Sequence, residues 1–157
     1  MEKTERTALA EGLRALLDEG LPLVSNLSNA AAYLYAALDG VNWAGFYLAK
    51  EETLFLGPFC GLPACTRIPF SRGVCGAAAR EKRTQLVPDV HAFAGHIACD
   101  AASRSEVVTP LVRGGAVLGV LDIDSPHAGR FSQEDARALA ECAALLAALP
   151  GWGQTLV

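Results

Sequence analysis

The sequence predicts an α+β fold, a largely antiparallel sheet with helices packed on it, and three patterns carry that prediction. Leucines recur at helical spacing near the N-terminus. Apolar positions alternate at strand spacing over 42–48 and again around 106–124, and a capped amphipathic run closes the chain. With 157 residues the chain is read as a single domain, 1–157, because compact domains cluster near about 100–150 residues.

Leu9, Leu13, Leu16 and Leu17 form one helical stripe and Val24, Leu27, Ala31, Leu34 and Leu38 a second, separated by Gly20 and Pro22. Both stripes read as core. Asn42 to Leu48 then takes strand character, with Trp43, Gly45 and Tyr47 on one face and Ala44, Phe46 and Leu48 on the other. Gly45 between two aromatics leaves a notch that could hold a small ligand; simple packing of the two rings under a helix explains the pattern equally well. Glu51-Glu52 turns the chain into a short strand, Thr53 to Leu56. From Gly57 to Arg72, glycines and prolines predict mostly loop, carrying Cys60 and Cys65 and broken by a short apolar piece at Ile68.

Arg72-Gly73-Val74-Cys75-Gly76 leads into a short helix with Cys75 in its first turn, where free N–H groups and the helix dipole would lower a thiol pKa. Cys75 is therefore a candidate nucleophile, or else a small residue packing a tight helix start. A strand near 84–87 precedes a long irregular connection from Pro88 to Ser105, a length typical of binding loops and lids. That connection holds Cys99 among His96, Asp100, Ser103, Ser105 and Glu106, groups that tune a thiol, so Cys99 reads as exposed and placed for chemistry. A buried, inert cysteine is the alternative.

Two apolar strands, 106–113 and 116–124, meet at Gly114-Gly115, a two-residue hairpin turn. At their far ends Asp122, Asp124 and Glu106 gather, and like charges so close raise at least one pKa and leave a carboxylic acid able to protonate a substrate. Strict pairing would set Val107 across from Asp122; a bulge at Pro110 is expected to bring Glu106 onto the aspartate face. Asp124 has the competing reading of a cap on the turn Ser125-Pro126. Ser132 caps the last helix, whose stripe of Leu139, Cys142, Leu146 and Leu149 makes Cys142 structural.

The net charge is −4 and the 13 Lys and Arg are scattered, so nucleic acid is not an expected partner. No apolar run reaches the ~20 residues of a membrane span and no leader pattern opens the chain, so a cytoplasmic location with no membrane association is expected. Five cysteines in that setting read as reduced and functional rather than as a disulfide framework. No Cys-x-x-Cys occurs, and His96-x-x-Cys99 alone gives weak support for zinc, so no metal is expected.

Taken together, Asn42-Trp43-Ala44-Gly45-Phe46-Tyr47, Gly57-Pro58-Phe59, Ala64-Cys65-Thr66-Arg67-Ile68-Pro69, Arg72-Gly73-Val74-Cys75-Gly76, His96-Ile97-Ala98-Cys99-Asp100-Ala101-Ala102-Ser103 and Gly119-Val120-Leu121-Asp122-Ile123-Asp124-Ser125 resemble the free methionine-(R)-sulfoxide reductases, which are stand-alone GAF domains. The resemblance covers about Asn42 to Asp135. It implies a twisted, mainly antiparallel sheet and a closed pocket for the free amino acid. It implies Cys99 as nucleophile, Cys65 as the main resolving cysteine and Cys75 as a third redox-active thiol. It implies Trp43 and Tyr47 as pocket walls, with Glu106, Asp122 and Asp124 binding the ammonium and assisting protonation of the sulfoxide oxygen. No cofactor is implied beyond an external thiol reductant, thioredoxin. The oligomeric state is left open, a homodimer included. Cys60 and Cys142 stand outside the family's pattern. A GAF-type sensor that binds without turnover and a thiol peroxidase using Cys99 and Cys65 are the competing readings.

Overall fold

In the computed structural model, residues 3–95, 102–154 and 156–157 are described. His96, Cys99 and Asp100, singled out above, lie outside the described residues. Two helices, α1 (Lys3–Leu16) and α2 (Leu23–Ala37), precede the strands β1 (Trp43–Lys50), β2 (Thr53–Gly61) and β3 (Arg67–Pro69). Helix α3 (Gly73–Glu81), strand β4 (Gln85–Val87) and a 3-10 turn (Val90–Ala92) lead to β5 (Ser105–Arg113), β6 (Ala116–Ser125) and α4 (Gln133–Ala147). The strands form one antiparallel sheet in the order β3-β2-β1-β6-β5-β4. The α+β expectation holds. No described helix is long and apolar enough to cross a membrane.

The sheet separates two cores. Alternate residues Ala44, Phe46 and Leu48 of β1, Val107 and Leu111 of β5, and Leu121 and Ile123 of β6 pack with α1, α2 and α4. The intervening residues, Trp43 and Tyr47, Val108 and Val120, pack with Val74, Cys75, Ala78 and Ala79 of α3. The period of two thus sends every second residue of a strand to a different layer. Leu9 and Leu13 are buried as expected, while Leu16 and Val24 are exposed, because each lies off the contact stripe of its helix.

Local signals explain most element boundaries. Gly114 and Gly115 adopt φ of 59° and 79°, which a two-residue hairpin turn requires and glycine supplies without a Cβ clash. Ser132 Oγ accepts from the Asp135 amide (3.1 Å) while Asp135 Oδ2 accepts from the Ser132 amide (2.8 Å), a reciprocal cap that opens α4. Arg130 Nη1 reinforces it with an ion pair to Asp135 Oδ2 at 3.2 Å.

Two expectations about the strands need correction. β2 does not end at Leu56 but runs to Gly61, and the Gly57-Pro58 pair sits in an irregularity between the pairs Gly45–Phe59 and Tyr47–Leu56. One extra residue there absorbs the proline, so a turn-like dipeptide stays inside a strand. The expected bulge in the second hairpin exists but lies elsewhere: Pro110 pairs regularly with Val120, and the shift falls between Leu111–Gly119 and Val112–Val117, leaving Leu118 of β6 as the extra residue. Gly119 explains the location, because its backbone runs so close to Tyr47 of β1 that a Cβ would lie 2.3 Å from the Tyr47 carbonyl oxygen.

Candidate active site

The bulge in β6 produces the effect expected of it. Glu106 pairs with Asp124 and Val108 with Asp122, so three carboxylates share one face of the sheet. On the other side of β6, Trp43 of β1 lies opposite Asp124 and Gly45 opposite Asp122. All three acids are buried, Asp122 at 5% and Glu106 at 8% exposure. The turn after β6 is held by Ser125, whose Oγ accepts from the His127 amide at 3.1 Å, so capping there does not need Asp124. Asp124 instead sits opposite Glu106 across the β5–β6 ladder.

Cys75 enters the same space from α3. Its Sγ donates to Asp122 Oδ2 at 3.5 Å and lies 3.9 Å from Glu106 Oε1. The tight helix start that places it depends on Gly76, where a Cβ would come within 2.8 Å of the Pro69 and Phe70 carbonyl oxygens. Burial, then the Asp122, Glu106 and Asp124 charges, push the Cys75 thiol well up. The dipole argument for a lowered pKa is therefore overturned: desolvation and three carboxylates outweigh the helix N-terminus. Cys75 is held as a protonated thiol.

The acids show the same physics. Burial, then the Asp122 charge, raises Glu106, and burial, then the Asp124 charge, raises Asp122. Two buried carboxyl groups this close disfavour each other's ionisation, so the pair is pushed toward its protonated forms. Asp122 Oδ1 is buried without a hydrogen-bond partner, as is Ser103 Oγ. An unpaired buried carboxylate oxygen is costly and calls for a donor from a ligand.

The aromatic notch is real but filled. Phe59 stacks on Trp43 at 5.2 Å between ring centroids, and Tyr47 stacks on Trp43 at 5.9 Å. A Cβ on Gly45 would lie 2.3 Å from the Phe59 Cβ and 2.9 Å from Trp43 Cη2, so Gly45 makes room for neighbouring rings and not for a ligand at that point. The three rings form a wall beside the acids. Phe59 was missed as a site residue because Gly57-Pro58 masked the strand that presents it. Trp43 Nε1 donates to the Leu62 carbonyl (3.1 Å) and the Tyr47 hydroxyl to the Cys65 carbonyl (3.0 Å), so the wall also anchors the loop that carries Cys65. Burial, then the Asp122 charge, drives the Tyr47 pKa up, and the phenol stays neutral.

Cys65 is disulfide-bonded, whereas Cys60, Cys75 and Cys142 are free. Cys142 is buried in the α4 stripe, its pKa pushed up to about 12 chiefly by burial, as a structural residue should be. Among the described residues, Cys75, Glu106 and Asp122 are a group of side chains close enough to hold a metal ion.

A six-stranded sheet with helices on both faces and a buried polar cluster under α3 defines the class: a GAF-domain model matches residues 7–149. The chain is 50% identical over 147 residues to the free methionine-R-sulfoxide reductase of Escherichia coli (strain K12), covering 93% of this chain and 89% of that protein. It is 46% identical over 140 residues to the protein of the same name from Saccharomyces cerevisiae, covering 83% and 77%. The structure of the free methionine-R-sulfoxide reductase from Neisseria meningitidis in complex with its substrate superposes with a TM-score of 0.81 at 44% identity, over 90% of this chain and 83% of that one. The chain belongs to the free methionine-R-sulfoxide reductase family of GAF-domain proteins.

Proposed function

We propose that this chain reduces free methionine-(R)-sulfoxide to methionine, using Cys99 as nucleophile and the Glu106–Asp122–Asp124 face as ammonium site and proton source. The observation that carries the reading is the buried acid face itself. Its acids are raised toward their protonated forms, and it sets an unpaired Asp122 oxygen beside a wall of three aromatic rings. A zwitterion with a polar sulfoxide and an apolar methyl group suits that combination. Identity of about 50% to curated reductases supports the same substrate class.

In this mechanism the Cys99 thiolate attacks the sulfoxide sulfur while the protonated acid delivers its proton to the oxygen. The sulfur is reduced to the thioether, methionine leaves, and Cys99 keeps the oxygen as sulfenic acid. The Cys65 thiol then attacks the sulfenic sulfur, releasing water and closing a disulfide. That Cys65 is disulfide-bonded while the other described cysteines are free supports its role as the resolving thiol. Cys75, buried and protonated against Asp122, is better suited to hold that acid in place than to exchange disulfides. Thioredoxin restores both thiols by exchange. No cofactor is needed for these steps, and the reaction suits the cytoplasm.

Release of methionine from separate R and S epimers of free methionine sulfoxide, with dithiothreitol or thioredoxin, tests the reading. Turnover of the R epimer alone, abolished in Cys99→Ser, is expected. Cys65→Ser should still complete a single turnover. Loss of that first turnover in Cys65→Ser, with Cys99→Ser retaining it, would reverse the assignment, and no turnover of either epimer would leave a ligand-binding GAF domain.

A further inference from the structure

We propose that Cys75, Glu106 and Asp122 form a site for a thiophilic divalent cation, Zn²⁺ above all, which binds in place of the substrate's ammonium group and holds the enzyme inactive. The inactivation rests on the reductase reading; the binding does not.

The donors come from three separate elements and converge. Cys75 from the first turn of α3, Glu106 from β5 and Asp122 from β6 place one ligand atom each within 4.8 Å of the other two. The Cys75 Sγ to Asp122 Oδ2 distance is 3.5 Å and the Sγ to Glu106 Oε1 distance 3.9 Å. Zinc bonds of about 2.3 Å to sulfur and about 2.0–2.2 Å to carboxylate oxygen, at tetrahedral angles, give S···O edges of about 3.6 Å. The free protein already holds its donors close to that spacing.

A second observation asks for a cation here. Asp122 Oδ1 is buried with no hydrogen-bond partner although the residue is only 5% exposed. The residues sharing that sheet face, Trp43, Gly45, Tyr47, Val108 and Val120, carry no positive charge to answer it. One thiolate with two carboxylates favours zinc over magnesium or calcium, which take oxygen ligands. Cys75, and the Glu106 and Asp122 carboxyls where they carry protons, release those protons to solvent when they ligate the metal. Three protein ligands leave a fourth position open to water.

The test uses the full chain with Cys65 kept in its disulfide. Zn²⁺ is titrated into the metal-free protein by calorimetry, and Co²⁺ in parallel by absorbance. One equivalent should bind, with tetrahedral Co²⁺ bands and a thiolate-to-cobalt charge-transfer band. Cys75→Ser should remove that band and weaken Zn²⁺ by about 100-fold or more, since losing even an outer-shell partner costs 10–100-fold. Glu106→Gln should weaken binding while keeping the band, and Cys60→Ser should change nothing. Free methionine sulfoxide should raise the apparent Kd for Zn²⁺ in proportion to its concentration. Absence of stoichiometric binding, a charge-transfer band that survives Cys75→Ser, or Zn²⁺ binding indifferent to Glu106→Gln would overturn the site. Metal binding without turnover of either sulfoxide epimer would uphold it while sinking the reductase reading, and turnover without metal binding would do the opposite.

Discussion

Along β6, Leu121 and Ile123 face a dry aliphatic layer closed by α1, α2 and α4, while Asp122 and Asp124, one residue away, face a layer of acids, rings and a thiol under α3. β1 and β5 divide in the same way. Burial is nearly complete on both sides, so burial alone does not distinguish a core from a site. The difference lies in what desolvation does to the buried groups. It stabilises the hydrocarbon on one face; on the other it favours protons on carboxyls that would shed them in water and makes a thiol harder still to ionise.

Substitutions on the two faces should therefore fail in different ways. Asp122→Asn should cut turnover by about 10²–10⁴-fold, the usual worth of a general acid or base, while the unfolding midpoint in urea holds or rises. Phe46→Ala, on the dry face, should cost about 3–5 kcal/mol in urea unfolding and leave turnover per folded molecule unchanged. A loss of activity in Phe46→Ala at full folding would break the separation of the two faces.

The pH dependence sharpens the contrast. The unfolded chain ionises Glu106 and Asp122 near pH 4, whereas the folded chain keeps them protonated to higher pH because both are raised. Across that window the folded state binds more protons, so stability falls as pH rises from about 4 through the raised pKa values. In Asp122→Asn this fall should be shallower, measured as unfolding free energy at a series of pH values. An equal slope in the variant would mean that the acid face does not set it. The smallest effect is expected far from both layers' centres: Ser132→Ala should cost about 1 kcal/mol by the loss of a helix cap, with turnover intact.

Much of this was legible in the sequence because period-two alternation survives in one dimension. Trp43 to Leu48 and Leu121 to Asp124 declare their faces without a partner, and Gly114-Gly115 and Ser132-x-x-Asp135 declare turn and cap. What stayed hidden depended on a neighbour far along the chain. The Leu118 bulge follows from Gly119 pressing on β1, and the notch at Gly45 is filled by Phe59 of another strand. Cys75 is the sharpest case. Its helix position predicted an acidic thiol, but the carboxylates that reverse the sign arrive from β5 and β6, more than 30 residues away.

The extra residue in β6 also bears on how this chain can change length over evolutionary time. Removing one residue between Gly119 and Asp124 would turn the aspartates toward the leucines of the helices and bring aliphatics to the side now lined by acids. Removing Leu118 would merely straighten a ladder that is already regular on either side of it. Within this hairpin the Leu118 bulge and the glycine turn are therefore the places where a residue can be gained or lost without turning the acid face.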